Sequence, residues 1–115
     1  MTYYPAVRTD ELADGNMKSV PVEGHELLIA RVGNKYYAAD NRCPHMGGRL
    51  AQGSLEGTVV TCPLHASRFD LADGKVLRWT DFSRPVVTLM KIFKPARPLR
   101  VYPVKIEGEN LLVEV

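Results

Sequence analysis

Sulfur, imidazole and long apolar runs are all scarce in this chain. Its 115 residues include two cysteines, three histidines and one tryptophan. No run of 18 or more apolar residues occurs, which excludes a helix that spans a bilayer. The N-terminus, MTYYPAVRTD, has neither a basic segment followed by an apolar one nor a twin arginine, the marks of export, so the cytoplasm is the expected compartment. A net charge of +2 is too small to imply a nucleic-acid partner. The two cysteines could form one disulfide, but a disulfide gives no reason for a histidine to follow each of them within three residues.

What the chain does have is an ordinary globular balance, 45% hydrophobic and 24% charged. Its length suits one domain over residues 1–115 with one modest core. The charge is uneven. From Lys75 to Lys105 there are eight bases against Asp81 alone. This cationic third reads either as a solvated face or as a docking patch for an acidic partner.

Short β-rich segments alternate with turn signals. Strands are expected at Ala6 to Arg8, Lys18 to Val22 and Leu27 to Val32, and Gly33-Asn34 closes a hairpin into Lys35 to Ala39. Further strands are expected at Val59 to Thr61, Lys75 to Leu77, Val101 to Ile106 and Leu111 to Val115. This spacing indicates an all-β sandwich or barrel. Two Gly- and Pro-rich loops, about 41–50 and 62–69, read as hairpin tips. Between residues 83 and 94 one short helix is expected, with Ser83 as cap, Pro85 in its first turn and Val86, Leu89, Met90 and Phe93 on one face. Pro95 stops it.

Each loop carries one thiolate and one imidazole. The pattern is Cys43-x-His45, sixteen intervening residues, then Cys62-x-x-His65. Iron–sulfur clusters need thiolates on iron, and replacing two of four by neutral histidines makes the centre less negative and easier to reduce. The expected arrangement puts Cys43 and Cys62 on one iron of a 2Fe-2S cluster and His45 and His65 on the other. Around them Gly47, Pro63, Ser67 and Phe69 are candidate supporting residues: glycine admits backbone amides near sulfide, proline stiffens a ligand's neighbour, and Ser67 has a hydroxyl to donate. Structural zinc is the competing occupant, although classical fingers space their pairs differently and place the histidines on a helix. His25, with no cysteine nearby, reads as a surface residue in a hairpin turn.

These boxes, CPHMGGRL at 43 to 50 and CPLH at 62 to 65, with F-D-x-x-D-G-K-V at Phe69 to Val76, resemble those of Rieske-type 2Fe-2S ferredoxins. The resemblance runs over almost the whole chain except roughly residues 78 to 97. It implies an antiparallel β fold with a small two-loop subdomain at one tip, both ligand histidines near solvent there, and electron traffic through that side. It also implies a carrier rather than an enzyme, since 115 residues leave no room for the mononuclear-iron domain of larger family members. Where respiratory members carry an extra cysteine pair and a nearby tyrosine hydroxyl, this chain has Gly48, Leu64 and Phe69. Its potential is therefore expected in the lower part of a range of roughly −150 to +300 mV.

The partners implied are an electron-donating reductase and an oxygenase or similar acceptor, met as a monomer in transient complexes. Two alternatives follow from the same residues: a small non-catalytic subunit of a reductase complex such as nitrite reductase, and a redox-sensing or zinc-organised binding module.

Overall fold

In the computed structural model, residues 2–43, 48–63, 67–78 and 98–115 are described. They form eleven strands: β1 (Tyr3–Arg8), β2 (Met17–Val22), β3 (His25–Val32), β4 (Lys35–Asp40), β5 (Ser54–Glu56), β6 (Val59–Thr61), β7 (Arg68–Asp70), β8 (Val76–Arg78), β9 (Val101–Tyr102), β10 (Val104–Glu107) and β11 (Asn110–Glu114). All pairings are antiparallel, in three sheets ordered β1-β11-β10, β2-β3-β4-β9 and β5-β6-β7-β8. The all-β expectation is met. The helix expected between residues 83 and 94 lies outside the described residues.

The middle sheet organises the rest, and its central strand shows why. Leu27, Leu28, Ile29 and Ala30 of β3 are consecutive and all fully buried. An unbroken apolar run means a strand covered on both faces, because alternate side chains point to opposite sides. Leu27 and Ile29 join Val7, Val20, Tyr36, Tyr102, Leu111 and Val113 in one core, against the β1-β11-β10 sheet. Leu28 and Ala30 join Leu50, Val60, Phe69, Leu71 and both cysteines in a second core, against the β5-β6-β7-β8 sheet.

Four local expectations are corrected. The strand expected over Val101 to Ile106 is two strands in two sheets, because Pro103 has no N–H to donate and the chain changes sheets there. Residues Arg68 to Asp70, expected inside the second loop, form β7 opposite Thr61, Val60 and Val59. Ser54–Glu56 adds β5, which the sequence pattern did not announce. His25 is the first residue of β3 rather than a turn residue, and it is exposed. It pairs with Val22, and the turn is Glu23-Gly24, both at positive φ.

Candidate metal centre

Both loops are closed at their base in the same way. The Cys43 N–H donates to the Gly48 carbonyl at 2.7 Å, and the Cys62 N–H donates to the Ser67 carbonyl at 2.7 Å. Each cysteine is thus locked to the residue five positions on, with four residues spanning the loop between. Cys43 and Cys62 are both 2% exposed, lie in the same core and are not joined to each other. Of the expected ligands these two are placed. His45, His65 and the supporting Gly47 lie outside the described residues, Pro63 is exposed, and Ser67 and Phe69 are fully buried in this part of the core.

The first loop is anchored by Asn41, one of two buried polar residues among those described. Its Nδ2 donates to Glu26 Oε1 at 3.0 Å and to Ser19 Oγ at 3.3 Å, while its Oδ1 accepts from the Ala51 N–H at 2.8 Å. Its backbone carbonyl accepts from Leu50 N–H at 2.7 Å, and its own N–H donates to the Glu26 carbonyl at 3.1 Å. One side chain therefore ties both ends of the loop to the β2–β3 hairpin. Burial of an amide is tolerated because every hydrogen-bonding group finds a partner.

A glycine brings the second loop alongside. A Cβ on Gly53 would overlap the Thr61 carbonyl oxygen and lie 3.2 Å from Pro63 Cδ, so only glycine lets the turn after the first loop rest on the start of the second. A second glycine contact fixes the returning chain. The Leu99 N–H donates to the Gly74 carbonyl at 2.8 Å, and Leu99 closes the core beneath the cysteines. The turn carrying Gly74 is organised by Asp70, whose carboxylate accepts from Thr58 Oγ1 at 2.9 Å and from the Ala72 N–H at 3.0 Å.

Sequence reasoning overlooked Asn41 and Gly53. Strand parity held the signal for the first. Asn41 lies two residues before Cys43, hence on the same buried face, and a buried asparagine needs partners. No sequence signal marks Gly53, whose neighbours come from another strand.

The donor chemistry fits an iron–sulfur cluster: two soft thiol ligands, held in a dry core with their own N–H groups already bonded. Among the described residues, which exclude His45 and His65, no gathering of three or more His, Cys, Asp or Glu side chains could hold a metal. Comparison with known proteins agrees. The model of the Rieske [2Fe-2S] domain matches residues 2–103. A ferredoxin component of a naphthalene 1,2-dioxygenase system from Pseudomonas aeruginosa is 36% identical over 110 residues, 96% of this chain and 92% of that one. The ferredoxin of carbazole 1,9a-dioxygenase from Nocardioides aromaticivorans IC177 superposes with a TM-score of 0.78 at 28% identity, covering 98% of this chain and 97% of that one. A complex of reduced oxygenase and oxidized ferredoxin in carbazole 1,9a-dioxygenase contains a chain that matches with a TM-score of 0.76 at 25% identity, covering 96% of this chain and 91% of that one. The chain belongs to the Rieske [2Fe-2S] domain family and carries one 2Fe-2S cluster.

Proposed function

We propose that the protein is a one-electron carrier, taking electrons from a reductase and delivering them to an oxygenase, with Cys43, His45, Cys62 and His65 as the cluster ligands. The observation that carries this reading is the matched pair of loop closures, which bring two buried cysteines from separate loops into one core. When bound, a cluster with mixed thiolate and imidazole ligation supplies a single reversible electron at moderate potential.

The chain's own residues hold the site rigid and dry. Asn41 and Gly53 fix the loops, Leu28, Leu50, Val60, Phe69 and Leu99 exclude water, and no side chain is assigned a catalytic role. The relatives named as ferredoxin components of dioxygenase systems support delivery to an oxygenase in a transient complex. A single domain over residues 1–115 and a cytoplasmic setting, where disulfides are rare, complete the reading.

Metal analysis with EPR of the dithionite-reduced protein, made in cells that assemble clusters, tests it. Two irons, two sulfides and a signal of low average g value are expected, and the signal should vanish in His45→Ala and His65→Ala. One zinc with no iron signal would sink the proposal and favour a binding module.

A further inference from the structure

The base of the first loop presents two arginines that no acid among the described residues neutralises. Arg42 and Arg49 stand opposite each other in an antiparallel bridge. The flanking hydrogen bonds, Cys43 N–H to Gly48 O and Leu50 N–H to Asn41 O, identify it as the narrow kind of pair, with Cα atoms about 4.5 Å apart and side chains at their closest. Asn41, Cys43, Gly48 and Leu50 are buried on one face of this ribbon, while Arg42 and Arg49 are exposed on the other.

Like charges directly opposite oppose pairing, so a purely structural ribbon would favour almost any other combination. Neither guanidinium has an ion-pair partner among the described residues. A third arginine, Arg68, begins β7 where the second loop ends, and among the described residues its Nη2 meets the highly exposed Glu56 carboxylate at 3.5 Å. Between residues 41 and 69 the chain carries three bases, Arg42, Arg49 and Arg68, against one acid, Glu56.

We propose that Arg42 and Arg49 form a docking surface for a carboxylate-rich patch on the protein that exchanges electrons with this one. The proposal rests on the electron-carrier reading and adds the chemistry of the partner's contact face. Each of these arginines is within one residue of the loop base, Arg42 next to Cys43, so a partner held there sits against the loops that carry the proposed ligands. Guanidinium suits this task because it is permanently charged, weakly hydrated and able to bind a carboxylate through two parallel hydrogen bonds. Charges of this kind act chiefly on encounter rate and orientation, as a transient carrier requires.

Binding of the holoprotein to fluorescein-labelled poly-L-glutamate, followed by anisotropy at low salt, tests the surface directly. The Arg42→Gln/Arg49→Gln variant should bind at least about fivefold more weakly, and the Arg42→Lys/Arg49→Lys variant should keep most of the affinity. A Lys35→Gln/Lys105→Gln variant loses the same net charge, with Lys35 at the far end of β4, and should bind nearly as wild type. In parallel, the reduced protein gives one electron to ferricyanide, forming ferrocyanide with no bond or proton transferred. That rate should fall with rising salt in the wild type and lose most of its salt dependence in the glutamine pair.

Equal weakening by the two glutamine variants would reduce the effect to net charge and overturn the proposal. Tighter binding of a single-stranded oligonucleotide than of poly-L-glutamate through Arg42 and Arg49 would overturn the choice of a carboxylate-bearing partner. Polymer binding is read without any electron transfer, so it separates failure of the docking surface from failure of the carrier reading, which absence of the 2Fe-2S signal would establish.

Discussion

The two faces of the β2-β3-β4-β9 sheet are built from the same strands and do different work. The face toward β1, β10 and β11 is closed by Val7, Leu27, Ile29, Leu111 and Val113, and among the described residues its only buried polar groups are the hydroxyls of Tyr36 and Tyr102 at its edge. The opposite face contains both cysteines and is bounded by the buried Asn41 and Ser67. The first face stabilises the fold in the ordinary way, by removing apolar surface from water. The second has the further task of holding two loops at fixed separation, and that task admits polar groups and close backbone contacts that a plain core would avoid. If this division is real, damage of equal thermodynamic size on the two faces should have unequal effects on the cluster.

Leu27 and Leu28 give the largest and most direct test, since they are neighbours on β3, are both fully buried and face opposite ways. Each Leu→Ala change should cost about 2–5 kcal/mol in urea unfolding. Only Leu28→Ala should also shorten the lifetime of the cluster's visible absorbance, by at least tenfold on the roughly 1.4 kcal/mol per decade that one lost contact set would contribute. Equal bleaching rates in the two variants would dissolve the distinction between the faces.

Two glycines sharpen it further. Gly53→Ala should cost about 1–3 kcal/mol through overlap with Thr61 and Pro63. It should loosen the cluster, because the clash lies between the supports of the two loops. Gly108, in the β10–β11 turn, has a φ of +63° with nothing within 4 Å of an added Cβ. Gly108→Ala should therefore cost about 1 kcal/mol through backbone strain alone and leave the cluster's EPR signal and lifetime as they were. Matching spectra and matching cluster lifetimes for the two variants would count against a positioning role for Gly53.

Asn41→Ala comes next in size. It strands the Ala51 N–H and removes the link to Glu26 and Ser19, for a loss of about 1–3 kcal/mol. Hydrogen exchange should rise at Leu50 and Ala51 before it rises in β3. Uniform acceleration across the molecule would make Asn41 a general core residue rather than a loop clamp.

How far these features were legible follows from where their causes lie along the chain. The middle of the molecule could be read directly: the apolar run Leu27 to Ala30 and the Gly33-Asn34 turn carry local signals, and β3 and β4 form there. Cys43 and Cys62 were legible as a pair because each is followed by proline and, within three residues, by histidine. The matched Cys-to-fifth-residue closures were not, since they depend on backbone direction at Gly48 and Ser67. β7 was missed because the loop pattern CPLHASRF masks the switch to a strand at Arg68, which only pairing with Thr61 reveals. The split at Pro103 could have been foreseen from its missing N–H. The Arg42–Arg49 opposition could not, because it needs the register of the ribbon.

The smallest effect concerns a pair that joins the two faces. Tyr102 belongs to the first core, yet its O–H donates at 2.6 Å to Oδ1 of Asp40, the last residue before the first loop's anchor. Burial, followed by the hydrogen bond and the negative charge of Asp40, pushes the Tyr102 hydroxyl from an ordinary 10.0 up to about 12, against the opposing pull of Arg100, whose guanidinium lies 5.2 Å from the ring centre. Because the folded form holds this proton more tightly, its contribution is complete below pH 10 and is lost as the pH rises from 10 toward 12. Urea midpoints should therefore fall over that window in the wild type. Tyr102→Phe should be slightly less stable at pH 9, by about 0.5–1.5 kcal/mol, and should show a shallower decline above pH 10. Parallel decline in both proteins would mean that Tyr102 shares its proton affinity with the unfolded chain and that the contact with Asp40 does not bind the loop to the first core.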